Sequence, residues 1–210
     1  MSQSDPNHKL KLFTESLNDS EIKSSRIERL NSIAESLSSV YRQDDSLNLN
    51  FICTHNSRRS QLAQVWMHYF SQLFHLNIHS YSSGTEVSEV HPNTLSALEE
   101  SGFEVEKSWE TNNNPRYKLN FSETKGSILL FSNSIDDQSL PKKFVAITTC
   151  SQADENCPFI PQARMRFSLT YEDPGKYDGS DREIEAYKQA NKKIATELFY
   201  LISKLKAENE

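Results

Sequence analysis

The chain has 210 residues, with 23 Lys or Arg against 29 Asp or Glu, a net charge of −6 and 36% hydrophobic residues. That is length for one α/β domain with an appendage, and its acidic balance excludes a basic field able to hold a polynucleotide. No apolar run is long enough to cross a bilayer, and the start lacks an export signal, so three cysteines read as reduced thiols of a cytoplasmic protein.

In chain order, a weak helical stretch over about residues 8–18 comes first. Ile22, Ile27, Leu30, Ile33, Leu37 and Val40 then recur at three- to five-residue steps with Ser20 as N-cap, which predicts a second helix. Residues 1–47 thus read as a helical extension, and 48–210 as the main domain. Leu47–Cys53 is a strand that ends on a cysteine, followed by a helix over about 60–74 carrying Leu62, Val65, Trp66, Tyr69 and Phe70. A short strand near 78–82, a Ser-Ser-Gly turn and a helix over 92–101 closed by Gly102 come next. Residues 115–132 read as an extended pair. Residues 144–150 form a second buried-type strand ending on a cysteine, and the last helix spans about 181–206. Strands alternating with helices imply an α/β, mostly parallel sheet flanked by helices, a Rossmann-like three-layer arrangement. Ligands of such sheets bind beyond the carboxyl ends of the strands, where Cys53 and Cys150 are placed.

The segment Cys53-Thr54-His55-Asn56-Ser57-Arg58-Arg59-Ser60 joins strand to helix. A cysteine six positions before an arginine, wrapped around a helix N-terminus, is an oxyanion trap. The backbone N–H groups of Thr54, His55, Asn56, Ser57 and Arg58 can converge on one centre, and Arg59 can fork onto two oxygens of a tetrahedral anion. Asn56 tolerates the left-handed backbone that so tight a loop needs. The same positive environment favours a thiolate at Cys53, to which Ser60 can donate a hydrogen bond when the sulfur must leave. Cys-x5-Arg spacing alone is weak, and its bland reading is a strand-end thiol beside a surface arginine; the buried strand before it and the helix after it raise the signal.

Phe51 through Ala63 resembles the signature of the low-molecular-weight protein tyrosine phosphatase superfamily, which includes thioredoxin-coupled arsenate reductases. The similarity continues through Ser82-Ser83-Gly84-Thr85, His91-Pro92-Asn93 and most of 144–205. It implies a four-stranded parallel sheet. Tyr171-Glu172-Asp173-Pro174 resembles the family's general-acid loop, with Asp173 protonating the leaving oxygen; the bland reading of Asp173 is a turn-forming Asp-Pro pair.

Thr148 through Pro158 resembles the resolving-cysteine segment of the three-thiol arsenate reductases. That likeness implies a relay: Cys53 attacks arsenate, Cys150 attacks Cys53 and releases arsenite, and Cys157 attacks Cys150. Thioredoxin then reduces the Cys150–Cys157 disulfide, and no organic cofactor takes part. If 151–157 is helical, the two cysteines lie about 10.5 Å apart along the axis, beyond the roughly 7 Å Cα separation of a disulfide, so the segment must unwind. Three competing readings remain. The gap is wide for zinc ligands, so no metal site is assigned; two of the thiols could be structural; and a second thiol can protect a phosphatase nucleophile from over-oxidation. The last keeps open a hydrolase acting on phosphate monoesters through Cys53, Arg59 and Asp173 alone. A non-enzymatic oxyanion or redox sensor is the third class.

The sequence departs from the family pattern at Arg58 and His55, both usually small. It departs also at Gln64, where several reductases carry a glutamate that helps hold potassium, and over 110–143, which is longer than the family's corresponding connection and could form an added hairpin beside the pocket.

Overall fold

The computed structural model describes residues 6–109, 113–121, 126–156 and 159–209. In chain order it contains α1 (Pro6–Glu15), α2 (Ser24–Asp44), β1 (Leu47–Cys53), α3 (Arg59–Leu73), β2 (Ile78–Gly84), α4 (Pro92–Ser101), β3 (Glu104–Trp109), β4 (Arg116–Phe121), β5 (Gly126–Leu130), β6 (Phe144–Thr148), α5 (Ser151–Asn156), β7 (Ala163–Ser168) and α6 (Glu183–Ala207). Strands β2-β1-β6-β7 make one four-stranded sheet, parallel throughout.

Side-chain alternation shows how that sheet is covered. Leu47, Leu49 and Phe51 of β1, with Val145 and Ile147 of β6, belong to the large core shared with α2, α3 and α6. Ile52, Phe144 and Ala146 point the other way, into a smaller cluster with Cys53, Cys150, Ala153 and Ile160. The sheet is therefore buried on both faces, which explains why β6, Phe-Val-Ala-Ile-Thr, reads as a nearly continuous apolar run rather than an alternating one.

The N-terminal helices pack into the main core. Phe13 stacks on Trp66 of α3 at 5.0 Å, and α2 lies against α6. Gly102 ends α4 with φ of 109°, and a Cβ there would stand 2.4 Å from the Leu10 amide nitrogen, so only glycine lets α1 approach so closely. The predicted start of α2 is corrected. Asn18, not Ser20, caps a 3-10 turn over Asp19–Glu21, and the helix begins at Ser24. Ile22 packs from the connecting residues instead.

A second sheet, antiparallel, has the order β3-β4-β5. Leu119, Phe121, Ile128 and Leu130 are its buried residues and join the large core beside α3. Strands β3 and β7 are additions to the elements read from the sequence.

Candidate active site

The loop between β1 and α3 is held by its carbonyls. Thr54 O accepts from the Glu86 amide at 2.9 Å. His55 O accepts from the hydroxyls of Ser88 and Ser132, both at 3.0 Å. Asn56 O takes the Gln61 side-chain amide at 2.9 Å, and Ser57 O takes the His91 amide at 3.1 Å and the Thr94 hydroxyl at 3.2 Å. In contrast, among the described residues no acceptor takes the N–H groups of Thr54, His55, Ser57 or Arg58. With its oxygens tied outward and its N–H groups left over, the loop adds to the unpaired amides of the first turn of α3. This is the electrostatic signature of an anion cradle.

Asn56 organises the turn. Its φ of 47° lies in the left-handed region, and its side chain is fully buried. The Asn133 amide donates to Oδ1 at 2.7 Å, which leaves Nδ2 to donate to Ser60 Oγ at 2.8 Å. Ser60 Oγ stands in hydrogen-bond contact with Cys53 Sγ at 3.0 Å, and the Asn56 amide donates to the same sulfur at 3.2 Å. Gly84, at the end of β2, is pressed against this turn: a Cβ there would lie 2.6 Å from Thr54 O and 2.8 Å from the Asn56 nitrogen.

Arg59, the first residue of α3, reaches the segment that follows β7. Its Nη2 is 2.7 Å from Asp173 Oδ2, and Nη1 donates to Tyr171 O at 3.1 Å. Its Nε is buried and, among the described residues, has no hydrogen-bond partner. Asp173 forms the turn of its bland reading, Oδ1 accepting from the Gly175 amide at 3.1 Å and capping a 3-10 turn over Pro174–Tyr177, while Oδ2 is paired with Arg59.

Arg58 goes elsewhere. Its Nε donates to Tyr187 Oη at 2.6 Å and its Nη2 to Asp178 Oδ2 at 2.7 Å, while Tyr187 donates to the other Asp178 oxygen at 2.9 Å. His91 stacks on Tyr187 at 5.0 Å. Burial, then the neighbouring Arg58, pushes its pKa below 6.5, and its Nδ1 accepts from the Asn93 amide. So two donors of Arg58, expected among the anion ligands, are engaged in bracing the far end of the Asp173 segment. His55 stands half-exposed, with Nδ1 3.1 Å from Glu86 Oε2.

Cys150 lies two residues beyond β6, adjacent to the end of β1. Its sulfur accepts from the Ala153 amide at 3.3 Å and contacts Thr54 Oγ1 at 3.6 Å, and Thr54 donates to Gln152 at 3.2 Å. Cys53 and Cys150 thus share one buried cluster. Cys157 lies outside the described residues. Among the described residues no group of three His, Cys, Asp or Glu side chains could hold a metal ion. Gln64 accepts from Ser82 Oγ at 2.5 Å and donates to Ser80 O at 3.4 Å; a neutral, engaged amide does not fit the charged potassium ligand that the resemblance implies there.

No family model matches the chain. The arsenate reductase of Bacillus licheniformis is 30% identical over 141 residues, covering 66% of this chain and 82% of the relative. The arsenate reductase of Halalkalibacterium halodurans is 29% identical over 134 residues, covering 63% and 78%. Among solved structures, a low-molecular-weight protein tyrosine phosphatase of T. tengcongensis superposes with a TM-score of 0.54 at 16% identity, covering 76% of this chain and all of that one. A Bacillus subtilis protein of the same description gives 0.52 at 17% identity, covering 78% and 100%. Fold, loop and relatives agree: the chain belongs to the low-molecular-weight protein tyrosine phosphatase superfamily that includes the arsenate reductases, and it is an enzyme of that kind.

Proposed function

We propose that the protein reduces arsenate to arsenite, with Cys53 as nucleophile and electrons entering through Cys150, Cys157 and a thioredoxin. The observation that carries this reading is the placement of Cys150: a second buried thiol in the same cluster as Cys53, at the end of the adjoining strand.

Arsenate enters the cradle of loop amides, with the free Nε of Arg59 as a further donor, and competes with Asp173 for the guanidinium. The Cys53 thiolate attacks arsenic and an As–O bond breaks. Asp173, released from Arg59 and carrying a proton taken up with the substrate, gives it to the departing oxygen, which leaves as water. The thiolate of Cys150 then attacks Cys53 Sγ. An S–S bond forms, the As–S electron pair stays on arsenic, and arsenite departs, reduced by two electrons. Cys157 attacks Cys150 Sγ, expels the Cys53 thiolate and leaves a Cys150–Cys157 disulfide, which the thioredoxin dithiol reduces. The hydrogen bond that the Ala153 N–H donates to the Cys150 sulfur and the Thr54 contact must open for that exchange, so the oxidised protein is expected to lose α5.

The test couples arsenate to thioredoxin, thioredoxin reductase and NADPH, with aryl phosphate hydrolysis assayed in parallel. Cys150→Ser and Cys157→Ser should each abolish steady-state reduction and spare ester hydrolysis, whereas Cys53→Ser should abolish both. Hydrolysis without reduction in the wild type would instead assign the site to phosphate monoesters. Identical amide exchange over 151–156 in reduced and oxidised protein would refute the opening of α5.

A further inference from the structure

The extension ahead of β1 reaches the segment that carries Asp173. Arg26, in the first turn of α2, lies 2.7 Å through Nη2 and 2.9 Å through Nε from Glu197 Oε2 of α6. The same Nη2 donates to Thr170 O at 3.2 Å, and the guanidinium carbon stands 5.0 Å from the centre of the Tyr171 ring. One turn further along α2, Arg29 Nε donates to Ser168 O at 2.6 Å. Two arginines of the extension therefore grip the end of β7 and two of the four residues that lead from it to Asp173, Thr170 and Tyr171. On the other side of Tyr171, its carbonyl receives Arg59.

Stability alone gives little reason for the Arg26–Glu197 pair. The Glu197 side chain is only 4% exposed, and a buried ion pair of that kind is commonly matched or bettered by apolar residues of similar size. What apolar residues would not reproduce is direction. A planar fork fixed on Glu197 by two donors presents a third bond to Thr170 O at a set angle. The backbone from Thr170 to Asp173 then has one course past Arg59.

We infer that Arg26 is a positioning residue for the reaction: through Thr170 and Tyr171 it sets where Asp173 stands relative to Arg59. The extension is in this sense part of the active-site scaffold rather than packing alone. The inference rests on the reading of Asp173 as the proton donor, and the experiment separates the two.

Turnover of arsenate, and of an aryl phosphate, is compared in the wild type, in the double variant Arg26→Met/Glu197→Leu, in Asp173→Asn, and in all three substitutions combined. The paired replacement removes the ion pair without leaving a lone buried carboxylate; Arg26→Lys, which keeps the charge and loses the fork, is the second probe. Expected are a fall in kcat of roughly tenfold in both Arg26 variants, with KM changed less than about twofold, as for a misplaced rather than missing group. In the Asp173→Asn background the same substitutions should cost almost nothing further, because they act through that carboxyl. Losses that multiply across the two sites, or unchanged kcat in both Arg26 variants, would overturn the inference. Full activity of Asp173→Asn would overturn the proton-donor reading itself, and this inference with it.

Discussion

Replacing Gly84 by alanine tests the anion cradle without touching any residue that contacts the anion. The added methyl would meet three backbone atoms at once: Thr54 O at 2.6 Å, the Asn56 nitrogen at 2.8 Å and Glu86 O at 2.8 Å. Ordinary contact begins near 3.4 Å, so backbone must move by several tenths of an ångström. The wall on the β2 side cannot recede easily, because Gly84 N bonds Asn133 O at 2.8 Å and its carbonyl accepts from Ile135 at 2.9 Å. The turn at Thr54–Asn56 yields instead, and with it the amide that donates to the Cys53 sulfur. Overpacking of this size costs about 1–3 kcal/mol of stability. A nucleophile displaced by a fraction of an ångström to an ångström costs up to about a hundredfold in kcat/KM. Urea unfolding, phosphate binding by calorimetry and steady-state turnover measure the three parts. If Gly84→Ala binds phosphate and turns over like the wild type, the loop is not held in the tight geometry from which the cradle is argued.

Arg59→Ala should weaken phosphate binding by roughly ten- to a hundredfold through loss of charge-assisted bonds. Arg58→Ala should instead cost about 1–3 kcal/mol of stability, from the stranded Asp178 and Tyr187, with a smaller effect on the anion; calorimetry and denaturation distinguish the two arginines. Burial, with His79 nearby, lowers the pKa of His68 from 6.5, and burial with Arg58 does the same for His91. The unfolded chain therefore takes up these protons first, so stability is full above about pH 6.5 and declines as pH falls below it towards the folded values. His68→Asn should flatten that slope in urea titrations, and an unchanged slope would remove His68 from the account. Asp154→Asn should speed amide exchange in α5 and alkylation of Cys150 by roughly fivefold. Its carboxylate holds that helix to Thr148 at 2.6 Å and to Arg166 at 2.6 Å, and equal exchange in the variant would show the contact to be idle.

Much of the site was legible because its parts are local. The strand ending at Cys53, the spacing to Arg59, the need for a left-handed residue at Asn56 and the Asp173-Pro174 turn all lie within short windows whose backbone demands are visible in residue type. The partners of Arg58 were not legible: Asp178 and Tyr187 are 120 and 129 positions away, and only the close of α6 against α3 brings them there. The same holds for Arg26 and Glu197, 171 positions apart. Asn133, which orients the Asn56 amide, sits in a stretch without periodicity. Strand β3, Glu-Val-Glu-Lys-Ser-Trp, and strand β7, Ala-Arg-Met-Arg-Phe-Ser, are edge strands of their sheets and only partly covered. Strand β3 offers only Val105 and Trp109 as apolar residues, too few to announce it, whereas Ala163, Met165 and Phe167 of β7 alternate with Arg164, Arg166 and Ser168 and were a legible strand signal. The false cap at Ser20 shows the converse case, in which a favourable residue type was overridden by a 3-10 turn that Asn18 closes first.

The depth of the two sulfurs bears on damage as well as on catalysis. Cys53 is 4% and Cys150 2% exposed, so peroxide has little direct access to either atom in this conformation. On the function proposed above, the cradle that takes the anion is also the path by which an oxidant would reach Cys53. A cell rich in phosphate would keep that aperture occupied, shielding the nucleophile from sulfinic acid formation at the expense of competing with its substrate.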